Sequence, residues 1–110
     1  MRRTLIVTVL VGLLVFASVG VARQSAYTVY NVGGSSCGDW LAEHKKPAPS
    51  TSMSAWVAGW VSAAGFYYGV ELKKTDVRAM DAWMDQYCTA NPSDTLSDAA
   101  PKLVEFLRAK

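Results

Sequence analysis

Histidine is almost missing from this 110-residue chain: His44 stands alone. There is no Cys-x-x-Cys pair, no His-Glu-x-x-His string and no glycine-rich phosphate loop. Those gaps exclude the common zinc knuckles and phosphate cradles, which need clustered Cys/His donors or glycines that bring backbone amides against a ligand. Only two cysteines occur, Cys37 and Cys88, too far apart in sequence to form one half of a knuckle. His44, followed by Lys45 and Lys46 at a helix end, reads as a solvated side chain near a C-terminal helix dipole. Asp81 and Asp85 share a helical face at i, i+4, but with no third ligand or base beside them they read as a solvated acidic face. The sequence therefore points away from an enzyme and calls for no metal or other cofactor. No internal repeat or low-complexity tract appears.

Net charge is the next scarcity. Eleven Lys/Arg stand against nine Asp/Glu, and setting aside Arg2 and Arg3 leaves nine of each sign. A near-neutral domain has no basic face for nucleic acid. In acid the balance tips strongly, because nine carboxylates and His44 take up protons.

What is present begins with an export pattern. Met-Arg-Arg opens the chain, an apolar run follows from Leu5 to Ala17, and Gly20-Val21-Ala22 ends it with small residues. This is the layout of a secretory signal over residues 1–22, with cleavage expected after Ala22. Ser25-Ala26 offers a second cut site, with Gln24 at a less favourable −3 position. The processed protein is expected in the periplasm with no stable membrane anchor. In an oxidising compartment two lone cysteines pair. A Cys37–Cys88 bridge closes a loop of about 50 residues and contributes on the order of 4 kcal/mol. Residues 23–110 suffice for one small domain with a marginal core.

Along that domain, residues 23–35 read as a flexible N-terminal arm; a short edge strand over Tyr27–Gly34 is the competing reading, and nothing else in the chain offers it a partner. Ser36 caps a first helix, with Asp39 three residues on, running to about Lys45. Lys46 to Ser52 holds turn and breaker residues and reads as a loop. Ser54 to Leu72 is the most apolar stretch, expected as a buried central helix. Trp56, Gly59, Trp60, Ala63 and Tyr67 fall on one stripe, and Val57, Val61, Ala64 and Tyr68 on the next. It is shorter than the ~20 apolar residues that a membrane span needs. Thr75 and Asp76 open a third helix whose apolar face is Val77, Met80, Trp83, Met84 and Tyr87-Cys88, ending near Asn91-Pro92. The last helix starts either at Pro92, capped by Asn91 and kinked at Pro101, or properly at Ser97. The predicted fold over residues 36–110 is all-α: a small four-helix domain with one disulfide.

Aromatic residues are abundant for such a chain. Trp40, Trp56, Trp60, Trp83, Phe66, Tyr67 and Tyr68 are more than a domain of this size can enclose. Trp56, Trp60, Phe66, Tyr67 and Tyr68 are therefore candidates for a dimer interface or for a surface that receives apolar segments of other proteins.

Ser36-Cys37-Gly38-Asp39-Trp40-Leu41, the Trp56/Trp60 helix, Leu72-Lys73-Lys74-Thr75-Asp76 and Tyr87-Cys88-Thr89-Ala90-Asn91-Pro92 together resemble the HdeA/HdeB-like periplasmic proteins, closer to the HdeB branch. The likeness spans Ser36 to Leu107. It implies a small helical fold with the Cys37–Cys88 disulfide, a homodimer at neutral pH, and ATP-independent, acid-activated holdase activity on unfolded periplasmic proteins. The alternative from another class is a periplasmic immunity protein similar to the Tai-type antidotes, which are also small, exported, helical and disulfide-bonded.

Overall fold

The computed structural model describes residues 27–109; the expected signal segment and its cleavage site lie outside them. Four α-helices follow one 3-10 turn, Asn31–Gly34: α1 Cys37–His44, α2 Ser52–Tyr68, α3 Val77–Ala90 and α4 Leu96–Leu107. Among the described residues there is no strand, only two isolated antiparallel bridges, Ser36 with Thr95 and Leu72 with Arg108. The domain is all-α, as the sequence indicates.

Three of the four helices, α1, α3 and α4, begin where a capping side chain satisfies free amides; Thr51, which precedes α2, makes no such bond. Ser36 Oγ accepts the Asp39 amide at 3.0 Å, while Asp39 accepts the Ser36 amide at 3.2 Å, a reciprocal capping box. Asp76 caps α3 by accepting the Ala79 amide at 2.8 Å. The α4 start differs from expectation. Its cap is Thr95, in a second capping box with Asp98, so the helix opens at Leu96 rather than at Pro92 or Ser97. Asn91 does not cap it; its side-chain amide turns back and donates to the Tyr87 carbonyl at 2.9 Å, finishing α3. Pro101 lies inside α4, which continues through it to Leu107.

The predicted central helix is shifted and only one-sided. It runs Ser52–Tyr68 rather than Ser54 to Leu72, and stops because Gly69 turns left-handed at φ 58°, a conformation that glycine adopts freely. Ser54, Val57, Val61 and Ala64 are buried, whereas Ala55, Gly59, Ser62 and Ala63 are exposed. Three other short helices cannot surround α2, so it packs on one face and presents the other to solvent.

The core joins all four helices: Cys37 and Trp40 from α1, Val57 and Val61 from α2, Met84 and Cys88 from α3, and Leu96, Ala99, Leu103 and Leu107 from α4. Cys37 and Cys88 are bonded, with Cα atoms 4.8 Å apart, and both are fully buried. The bridges bind α4 at both ends. Cys37 N donates to Asp94 O at 2.7 Å and Leu96 N to Ser35 O at 3.0 Å. At the far end Lys73 N donates to Leu107 O at 2.7 Å, and Ala109 N to Glu71 O at 3.0 Å.

The segment predicted as a free arm is docked over its described part. Gly33 is buried, and a Cβ there would collide with the Trp56 indole and lie 2.8 Å from Val29 Cγ1. A turn with no side chain at its inner residue can lie flat on an indole, which is why this stretch needs no strand partner.

Candidate functional site

An uncharged groove opens between α2 and α4. Trp60, Ala64, Tyr67 and Tyr68 line it from α2, Pro101 and Val104 from α4, and Tyr27 from the N-terminal segment. Its volume is about 640 Å³. The groove forms because α2 carries no charged residue between Ser52 and Tyr68 and turns Val57 and Val61 to the core, which leaves the neighbouring Trp60 stripe at the rim.

The structure divides the five predicted surface aromatics. Trp60, Tyr67 and Tyr68 meet in the groove. Trp56 does not; it is half-buried, packed against the core and covered by Gly33. Phe66 stands outside the groove, 80% exposed, edge-on to Tyr67 at 5.2 Å between ring centroids. Tyr67 and Tyr68 are 79% and 74% exposed, so the groove's aromatic wall is open to a partner. Sequence reasoning missed Tyr27 and Pro101. From sequence Pro101 reads only as a helix breaker, yet Pro101 and Val104 at i, i+3 place two apolar side chains in the groove with Trp60, a spacing the sequence carries.

A second cluster corrects two readings. His44 is not a solvated helix-end residue. Its ring stacks on Trp40 at 4.0 Å, and Nδ1 donates to the Trp40 carbonyl at 2.9 Å. Nε2 lies 3.4 Å from Ser54 Oγ and 3.9 Å from Asp81 Oδ2. Asp81 and Asp85 are likewise not a solvated face. Asp81 accepts the Ser54 hydroxyl at 2.9 Å, and Asp85 accepts the Trp40 indole N–H at 2.7 Å. A fully buried indole needs such an acceptor, and α3 supplies it across the interface. Because the Ser54 proton goes to Asp81, the hydroxyl is not paired with His44 as a nucleophile is with its base. The cluster braces α1, α2 and α3 together. Asp81 Oδ1 is buried there without a hydrogen-bond partner among the described residues.

Two further carboxylates hold the ends of the fold. Tyr87 donates to Asp94 at 2.6 Å, and this bond, reinforced by burial, pushes the phenol up to about 12. Glu43 accepts Lys46 Nζ at 2.6 Å and the Ser50 amide at 2.8 Å; these bonds, the lysine's first, hold its carboxyl below the ordinary 4.5. Among the described residues no three His, Cys, Asp or Glu side chains come together as a metal site, and no helix is long and apolar enough to cross a membrane.

Compared with known proteins, the chain matches no family model, no curated protein and no solved structure.

Proposed function

We propose that this protein is a periplasmic, ATP-independent holdase that binds unfolded proteins through the α2–α4 groove and is activated by acid. The observation that carries the reading is the groove itself: an uncharged aromatic channel about 640 Å³ in volume, with two tyrosines more than 70% exposed. A surface of that kind suits apolar segments of varied sequence, because rings provide area without demanding a particular hydrogen bond. At neutral pH the same face serves as the homodimer contact implied by the likeness to HdeA/HdeB-like proteins.

The distribution of carboxylates supports acid activation. Asp39, Asp76 and Asp98 cap three helices, while Asp81, Asp85 and Asp94 accept the hydrogen bonds that join one element to another. Glu43, held below its ordinary range by Lys46 and the Ser50 amide, loses that staple in acid, and the fall in negative charge leaves the basic residues to repel one another. A domain tied in this way loosens in acid and widens access to its aromatic face.

The test is aggregation of an acid-denatured client, followed by light scattering, with the oxidised protein at pH 3 and pH 7. Suppression at pH 3 alone is expected, with Trp60→Ala reducing it while the helical spectrum at pH 7 is kept. A protein that keeps its size across this range, exposes no new apolar surface and leaves the client unprotected would defeat the reading. The immunity-protein alternative would then replace it.

A further inference from the structure

We propose that the tip of α2, formed by Phe66, Tyr67 and Tyr68 with the basic side chains beside it, docks on the surface of an anionic lipid bilayer. This goes beyond the holdase reading and does not rest on it.

Three consecutive residues of a helix are turned about 100° from one another, so the three rings fan over about 200° of the last turn. All three are exposed, at 80%, 79% and 74%. A flat, rigid protein surface can meet one or two of such rings, whereas a fluid bilayer interface can take in all three. Gly69 ends the helix immediately after them, so the tip is not continued by another turn. Tyrosine suits the headgroup level, with its ring below and its hydroxyl in water. The whole of α2 carries no charge that would resist entry.

Basic residues gather at the same end. Leu72 reaches back to Gly65, where its Cδ1 would lie 3.3 Å from a Cβ, and pairs with Arg108 in the second bridge. Lys73 and Lys74 therefore follow near the C-terminal end of α2, with Lys73 N bonded to Leu107 O at 2.7 Å and its Nζ 5.7 Å from the centroid of the exposed Phe106 ring. Against Lys73, Lys74 and Arg108 stand Glu71 and Glu105, and Glu105 is taken up by Arg108 at 3.4 Å. Among the described residues neither lysine is held in an ion pair, so both can reach lipid phosphates, Lys73 from beside the Phe106 ring. Asp76 and Arg78, at the start of α3, carry opposite charges and add no net charge to this end. Since no described helix can cross a membrane, the docking is peripheral.

The experiment is flotation of the processed, oxidised protein with vesicles of phosphatidylcholine, with and without phosphatidylglycerol. Binding is expected only with phosphatidylglycerol, and Lys73→Ala/Lys74→Ala should weaken it about tenfold or more. Phe66→Ser, at a residue with no role in the core, should weaken it as well. No flotation with either vesicle overturns the proposal, and so does flotation that both variants leave unchanged. A tip that captures unfolded protein but never lipid also overturns it. The lysine pair lies outside the groove, so its variant should keep full suppression of client aggregation, whereas Trp60→Ala should not. The two readings can therefore fail separately.

Discussion

A single hydrogen atom at Gly33 lets the N-terminal turn lie against Trp56. Adding a methyl group there drives Cβ into the indole, and overpacking of this kind costs about 1–3 kcal/mol. Gly33→Ala should lose that much in urea unfolding, while Gly34→Ala, whose Cβ would meet nothing within 4 Å, should stay close to the parent. Tyr87 permits a second test. Its phenol is raised from 10.0 to about 12 by the Asp94 carboxylate and by burial, so the folded state favours the protonated form. The stabilisation is therefore complete below pH 10 and is lost as pH rises through about 12. An absorbance titration should resolve one tyrosine near 12, and Tyr87→Phe should remove that step.

The helix ends are the best-supported local features, and the capping box of α4 is the one most easily tested. Thr95→Ala leaves the Asp98 amide without its acceptor and should cost about 1 kcal/mol, read as a shift in the urea midpoint at unchanged slope. The Glu43 staple predicts an acid effect. Its carboxyl titrates below 4.5 when folded, so its contribution is present above 4.5 and disappears as pH falls through the lower folded value. Glu43→Gln should flatten that part of the stability curve in acid. These features also mark what could be read from the sequence. Ser36 with Asp39, and Thr75-Asp76, mark the starts of α1 and α3, because a cap and its helix are neighbours in sequence, and of the latter pair Asp76 is the cap. The start of α4 is obscured by two competing starting points, Pro92 and Ser97, and Asn91 serves the preceding helix. Which face of α2 is buried was not legible, since small and aromatic residues surround it on every side and only its partners decide. Neither were the approach of His44 to Asp81 and the bond of Asp85 to Trp40, whose partners lie on helices far along the chain.

At the scale of the molecule, one covalent link ties α1 to α3 through the middle of the core. With a sequence separation of 51, Cys37 and Cys88 should contribute on the order of 4 kcal/mol by restricting the unfolded chain. For a domain this small that is a large share of the total, so Cys88→Ser should lower the urea midpoint sharply and leave little folded protein at elevated temperature. The two bridges that hold α4 have a consequence in time. α4 brings Leu96, Ala99, Ala100, Leu103 and Leu107 to the core, and its ends are fastened to residues made much earlier, at Ser36 and Leu72. During synthesis the first three helices emerge with no opposite wall to close on, and these distant contacts cannot form until the last segment is present. Nascent chains stalled before Thr95 should therefore be cut readily by protease, and chains extended through Ala109 should become resistant in one step. A translocation channel that accepts only extended polypeptide would meet this protein throughout its synthesis in a state it can thread.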